Sequence, residues 1–421
     1  MTRYKTYRIK RQAVLSEEEG SMMNSAIILL STIIQLIHCA SYPDVKSLLS
    51  NISEFTLSED GKLNFTQLVT KYGHTAEQYE VVTEDGYLVK LFHIPGIRSS
   101  VLLTHGLGTD ADPYVIRGNG SLGIALADEG YDVWLLNNRG TKFSRRHTEL
   151  DPDKDKKFWD YSLHEMGYYD LAATIDFVLY QTGEEKILAI GHSQGASQFF
   201  ALTSLRPEYN EKVKLFLALA PGAFFFNMPP LFQIVASAGP LLLELGKTLG
   251  IEELCKDRGA LLFLIKTICT KGIISYEVCV RAAIFPFLGY NPAGFELSFL
   301  RTLFGHAPSG FSRKCLEHYD QLYLRKKFAQ FDYGFRGNLG KYGSRNPPDY
   351  ALSKITADVA IMSGKLDTLS LIENGKILKS KLPNVVHFEE IEKTTHIDFV
   401  LSREASKYLF PSIFRLLQKY D

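Results

Sequence analysis

The chain lacks most of the features that would place it in a specialised class. Five cysteines in 421 residues are too few to carry the fold, which excludes a small disulfide scaffold. Lys+Arg and Asp+Glu both number 47, so there is no basic excess to attract nucleic acid. No apolar run reaches the roughly 20 residues that span a bilayer, and no internal repeat or low-complexity tract stands out. What remains is a globular composition, with 45% apolar and 22% charged residues. That is enough chain for a large core and for more than one average domain.

The apolar run at residues 25–37 fits the hydrophobic region of a signal peptide, and small residues follow it at Cys39-Ala40-Ser41. Met22 and Met23 stand directly before it, so residues 1–21 read as an extension upstream of the functional start. The mature chain is expected to begin near residues 39–41 and to keep no stable transmembrane segment. A retained short anchor is the alternative. Asn51, Asn64 and Asn119 each open a glycosylation sequon, and a secreted or lysosomal location is expected. Removing Cys39 leaves Cys255, Cys269, Cys279 and Cys315. Cys269 and Cys279, the closest pair, could close a small loop worth about 2–3 kcal/mol.

Residues 79–83 and 87–91 flank Asp85-Gly86 and predict a β-hairpin. Apolar strands are expected at 100–104, 132–136, 186–190, 213–220, 358–362 and 385–388. Helices are expected at 121–129, 169–180 and about 402–418. This alternation implies a mostly parallel sheet covered on both faces. It breaks between residues 222 and 350, which read as helices and loops. One βαβ step takes roughly 30 residues, so the excess is expected to form a cap. The division is then an N-terminal extension and signal peptide (1–41), a first core part (42–221), a cap (222–350) and a second core part (351–421). The apolar runs at 261–265 and 282–288 are expected as core faces of cap helices, with part of that surface free to line an acyl pocket or meet lipid.

Gly191-His192-Ser193-Gln194-Gly195 lies between an apolar strand and a helix. By chance the Gly-x-Ser-x-Gly pentapeptide arises in roughly one chain in seven of this length, so its placement carries the reading. A nucleophile elbow needs Ser193 on a sharp turn, with Gly191 and Gly195 leaving room on either side. The order nucleophile, acid, base then points downstream. Asp367 follows a strand in Ser363-Gly364-Lys365-Leu366-Asp367, where the acid belongs. His396 lies between the last strand and last helix, where the base belongs. The plainer readings are a turn aspartate and a solvated loop histidine. Asp398 is the rival acid, too close in sequence to His396 to orient it easily. Backbone amides of Gln194 and of Leu107, in His105-Gly106-Leu107, are the expected oxyanion donors. His105 and His192 are expected to brace their loops, and His306 to be a packed cap residue. This chemistry calls for no metal and no cofactor.

Several further stretches carry a resemblance: Tyr79-Glu80-Val81-Val82-Thr83-Glu84-Asp85-Gly86-Tyr87, Gly130-Tyr131-Asp132-Val133-Trp134, Asn138-Arg139-Gly140, Ala218-Leu219-Ala220-Pro221 and His396-Ile397-Asp398-Phe399. With the elbow and His105-Gly106-Leu107, the chain resembles the acid lipase family of α/β-hydrolases, which includes gastric, lysosomal acid and insect digestive lipases. The resemblance runs from about residue 64 to 399. It implies an α/β-hydrolase fold with an inserted, mainly helical cap, the triad Ser193, Asp367 and His396, and the donors Leu107 and Gln194. It also implies a Cys269–Cys279 disulfide. The chain departs from the family pattern at Gly108, Lys365-Leu366 and Thr395, none of which removes a catalytic group. The implied activity is hydrolysis of lipid esters, triacylglycerols above all, at a lipid–water interface. The alternatives are a sterol-ester hydrolase or general carboxylesterase and, from another class, a non-catalytic lipid-binding protein.

Overall fold

The computed structural model describes residues 57–257, 259–270 and 275–421. The expected extension and signal peptide (1–41) and the sequon at Asn51 lie outside the described residues. In chain order the strands are β1 (Glu77–Val82), β2 (Leu88–Ile94), β3 (Ser100–Thr104), β4 (Asp132–Asn137), β5 (Ile187–His192), β6 (Val213–Leu219), β7 (Glu253–Leu254), β8 (Phe311–Ser312), β9 (Val359–Gly364) and β10 (Val385–Ile391). All except β7 and β8, which pair with each other, build one sheet in the order β1-β2-β4-β3-β5-β6-β9-β10. The β1–β2 and β2–β4 pairings are antiparallel, and from β4 to β10 every pairing is parallel. The hairpin turns where Asp85-Gly86 predicts, with Gly86 at φ 91°.

Strand geometry explains why the sequence shows unbroken apolar runs. In β3, Val101 and Leu103 join the core on one side of the sheet and Leu102 the core on the other. In β5, Leu188 and Ile190 face one side, Ile187 and Ala189 the opposite one. Both sides are covered, so neither set can be polar. Helices α1 (Leu122–Asp128), α2 (Ala172–Thr182), α3 (Gln194–Leu205), α4 (Pro230–Thr248), α5 (Arg313–Arg325), α6 (Ile372–Lys381) and α7 (Phe410–Tyr420) follow in chain order. Leu122 and Ile124 of α1 and Ile413 and Leu417 of α7 fill the first core. Ile175 of α2, Phe199 of α3 and Leu378 of α6 fill the second. Each such side chain contributes about 1.5–3 kcal/mol when fully buried.

Two elements depart from the sequence reading. The expected helix at 402–418 is two pieces, Ala405–Tyr408 and α7, with a separate short helix Asp398–Leu401 before them. Pro411, near the start of α7, has no N–H to donate and obstructs continuation from the preceding turn. The helix expected at 169–180 begins earlier, as a π-helical segment Met166–Leu171 that runs into α2. A β-carbon on Gly167 would lie 2.5 Å from the Gln198 carbonyl oxygen, so this widened turn sits directly on α3.

Although β6 and β9 are sheet neighbours, the chain between them holds α4, helix Ala260–Cys269, a π-helical Tyr276–Ile284, α5, helix Gly334–Tyr342 and the β7–β8 ribbon. This is the stretch expected as a cap. A disulfide joins Cys269 to Cys279, with Cα atoms 5.6 Å apart, while Cys255 and the buried Cys315 are free thiols. The run at 282–288 is divided in its use. Phe285 is buried against Tyr276 and Tyr290, so it serves the core.

At the N-terminal end of β4, His93 stacks on Trp134 with ring centroids 3.8 Å apart. Its Nδ1 faces Glu77 Oε2 at 3.0 Å and its Nε2 faces Asp132 Oδ1 at 2.6 Å. Burial opposes protonation, but the two carboxylates outweigh it and raise the His93 pKa. Burial likewise works against the Asp132 charge, and His93 outweighs it to lower the Asp132 pKa. The histidine's contribution is therefore complete below the ordinary imidazole value near 6.5 and disappears as pH rises through the raised native value. That of Asp132 is present above its ordinary value near 3.9 and disappears on acidification through the lowered one. We predict that His93→Gln lowers stability by about 2 kcal/mol at pH 5.5, with the difference from wild type shrinking by pH 9. Paired thermal melts at the two pH values measure this; an equal gap at both would show that the imidazolium is not the stabilising species.

Candidate active site

The centre of the site is a backbone feature. Ser193 lies between β5 and α3 at φ 53° and ψ −112°, a conformation costly for any residue with a β-carbon. Its N–H donates to the Leu219 carbonyl at 2.9 Å, so the end of β6 holds the turn. The flanking glycines serve close packing, and neither has positive φ. A β-carbon on Gly191 would come within 2.8 Å of the Ala196 amide nitrogen, and one on Gly195 within 2.5 Å of the Thr104 carbonyl oxygen. Side chains at either position would push α3 away from β3 and β5. The turn presents Ser193 Oγ at the N-terminus of α3, where free amides favour negative charge.

Two loops meet that hydroxyl. His396 Nε2 is 2.8 Å from Ser193 Oγ, and its Nδ1 is 2.9 Å from Asp367 Oδ2. Asp367 follows β9, and its other oxygen accepts the Leu369 and Ser370 amides at 2.8 and 2.7 Å. One oxygen is thus fixed by backbone while the other is left for the ring. Asp398 does not face the ring. It is buried, accepts the Thr395 N–H at 2.9 Å, and receives Asn291 Nδ2 at 2.9 Å. Burial raises its pKa. Asp398 thus shapes the histidine loop.

Leu107 and Gln194, the expected oxyanion donors, both lie beside the elbow. A β-carbon on Gly106 would lie 3.3 Å from Ser193 Cβ, which places the Leu107 loop against the elbow. Gln194 is the first residue of α3. Among the described residues neither amide has an acceptor. His192 Nε2 donates to the His396 carbonyl at 2.9 Å, and burial, helped by the neighbouring His396, pushes its pKa down to about 3. The Asn138 amide donates to His105 Nε2 at 3.1 Å, and burial pushes the His105 pKa down to about 4. Both rings are neutral braces. His306 is buried, as expected of a packed residue, though among charged groups. No group of His, Cys, Asp or Glu among the described residues could hold a metal ion.

Sequence reasoning missed what the inserted stretch does to the histidine loop. The His396 N–H donates to the Leu288 carbonyl at 2.8 Å. A β-carbon on Gly289, at φ 106°, would lie 2.0 Å from the Leu366 carbonyl oxygen. Asn291 Nδ2 also donates to the Lys393 carbonyl at 2.8 Å. Only the positive-φ demand at Gly289, beside an apolar run, left any trace in the sequence.

Residues 100–238 match the family described as alpha/beta hydrolase fold, and residues 65–118 the partial alpha/beta-hydrolase lipase region. Mouse gastric triacylglycerol lipase is 33% identical over 371 residues, covering 85% of this chain and 92% of that protein. Human lysosomal acid lipase/cholesteryl ester hydrolase gives 33% over 371 residues, with the same coverages of 85% and 92%. Drosophila melanogaster Lipase 1 gives 34% over 367 residues, covering 86% and 81%. A solved thermophilic esterase from Thermogutta terrifontis shares the fold at 14% identity, with a TM-score of 0.51 over 82% of this chain and 99% of that one. With one third of its residues shared along most of its length, the chain belongs to the acid lipase family of α/β-hydrolases, beside the gastric and lysosomal acid lipases.

Proposed function

We propose that this protein is a serine lipase that hydrolyses carboxylic esters of lipids, triacylglycerols above all, through an acyl-enzyme. The observation that carries the reading is the hydrogen-bonded line from Asp367 through His396 to Ser193 at 2.9 and 2.8 Å, ending on a positive-φ elbow. Ser193 Oγ attacks the ester carbonyl carbon while His396 Nε2 takes its proton, and Asp367 stabilises the imidazolium. The tetrahedral oxyanion accepts the Leu107 and Gln194 amides. Collapse breaks the bond to the alcohol oxygen, which leaves with the proton from His396. Water, deprotonated by the same nitrogen, then attacks the acyl-enzyme, and the fatty acid departs as Ser193 regains its proton.

A lipid–water interface as the site of action is supported by α4. None of its residues is buried. Leu231, Ile234, Val235 and Leu241 are 39, 38, 43 and 66% exposed, at spacings that place them on one face of the helix. A different face packs on α5: the Phe232 and Tyr323 ring centroids are 5.3 Å apart, and a β-carbon on Gly239 would lie 3.0 Å from Asp320 Oδ1. An apolar stripe left in water is costly, and contact with lipid would relieve it. We read α4 as part of a lid that engages the interface. Residues 222–350 then act as a cap domain over the hydrolase core.

A secreted or lysosomal setting fits the disulfide and the exposed sequons at Asn64 and Asn119. Asn64 Oδ1 is occupied by the Gln67 amide and the Thr66 hydroxyl, which leaves Nδ2, the atom a glycan uses, free of those contacts.

Ser193→Ala should reduce kcat by at least about 10⁴-fold with an unchanged melting temperature, and Ser193→Ala/His396→Ala should be little worse. Appreciable hydrolysis by the single variant would end the assignment. For the lid, Leu241→Asp and Ile234→Asp should cut activity on emulsified long-chain triacylglycerol by roughly tenfold or more while sparing a soluble short-chain ester. Equal effects on both substrates would remove the interface from the account.

A further inference from the structure

A buried charged cluster touches the loop that carries Leu107. Asp110 and Asp112, each 1% exposed, stand at the far end of that loop. Lys142 Nζ lies 2.5 Å from Asp112 Oδ2 and 3.2 Å from Asp110 Oδ2, and donates to the His306 carbonyl at 2.8 Å. His306 places both ring nitrogens against acceptors: Nδ1 is 2.8 Å from Asp112 Oδ2 and Nε2 is 2.9 Å from the Asp60 carbonyl. A neutral imidazole has a single N–H, so only the imidazolium can donate in both directions. In that state two cations, Lys142 and His306, stand against two carboxylates.

The cluster also joins the loop to the inserted stretch. The Ser309 N–H donates to the Gly108 carbonyl at 2.8 Å, and the Lys142 N–H donates to Ser309 Oγ at 3.1 Å. Gly108, at φ 70°, directly follows Leu107. The direction of the Leu107 amide is therefore tied to the backbone next to His306. Around His306 stand Asp110 and Asp112 from the loop and Lys142 from the segment after β4. Helix Glu59–Lys62 brings Asp60, whose carboxylate is occupied by Lys71 and Tyr72. Lys266 of helix Ala260–Cys269 adds its charge to the field at Lys142, Asp110 and Asp112. Asp112 Oδ1 has no hydrogen-bond partner among the described residues, so Lys142 and His306 share its other oxygen.

We propose that His306 is a positioning residue for the oxyanion hole: bonded through both ring nitrogens, and together with Lys142, it fixes the loop at 106–112 so that the Leu107 amide meets the developing charge. The inference rests on reading Leu107 and Gln194 as oxyanion donors. Without both ring contacts, Asp112 or the Asp60 carbonyl loses a donor and the loop loosens. The site then loses grip on the tetrahedral intermediate more than on the ground-state ester.

The test uses the full chain on a soluble short-chain p-nitrophenyl ester from pH 4 to 8, with inhibition by an alkyl boronic acid that forms a tetrahedral adduct on Ser193. His306→Gln should lower kcat and weaken the boronate by a similar factor, roughly ten- to a hundredfold, with KM within about twofold of wild type. Ser309→Ala, which keeps the bond to Gly108 but removes the hydroxyl's contacts with the Lys142 amide and Asp110, should show a smaller loss of the same kind, about three- to tenfold. It also serves if His306→Gln melts early. Wild-type kcat and boronate affinity in both variants, or a loss carried by KM, would each overturn the proposal. Failure of the site reading is separable, since it would show as hydrolysis by Ser193→Ala whatever His306 does.

Discussion

The backbone of Ser193 is the constraint on which the rest of the structure depends. Holding a residue with a β-carbon at φ 53° costs of order 1–3 kcal/mol, and the surrounding elements must over-determine the turn. Thr104 at the end of β3 closes on Gly195, and Leu219 at the end of β6 captures the Ser193 amide. The strain is not confined to one residue. Ala220, immediately after β6, is at φ 47° and donates its N–H to the Met362 carbonyl of β9 at 2.9 Å. The strand carrying the nucleophile, the strand that holds its amide and the strand leading to Asp367 are thus locked together at their C-terminal ends. That is the edge where ligands meet open α/β sheets.

The central strands were legible because each is buried on both faces, and a run such as 100–104 or 213–219 has no other comfortable place in a globular chain. The elbow was legible from its position between one such strand and a helix. Asp367 and His396 could be proposed because each follows a readable strand in the order the chemistry demands. Three things were not legible. The break before α7 was signalled by Pro411 but masked by good helix-forming residues on both sides. Asp398 looked like a possible partner for His396 and instead ties down the Thr395 amide, a choice made by Asn291, 107 residues away. The cluster of Asp110, Asp112, Lys142 and His306 reads in sequence as scattered polar residues. Their burial is set by chain crossings separated by 30 to 194 residues.

Contacts at Leu288, Gly289, Asn291, His306 and Ser309 show that the stretch between β6 and β9 does more than cover the sheet. His396 is held through its own amide by the Leu288 carbonyl, and the Leu107 loop is held through Gly108 by Ser309. A sheet with short connections would place the nucleophile but would leave both remaining parts of the site without these supports. The exposed face of α4, proposed to engage lipid, and the contacts that brace the loops around Ser193 therefore lie on one piece of chain, with the Cys269–Cys279 bond and the packing of α4 on α5 between them.

Ser193 and His396 are 203 residues apart in sequence, with the inserted stretch between them. A chain made from its N-terminus displays the elbow long before any base exists to activate it, and the parts that brace the base arrive in between. Throughout that interval the serine is an ordinary alcohol, whatever ester-rich membrane it is made beside. The order of the elements along the chain gives the molecule a latent period during its own synthesis.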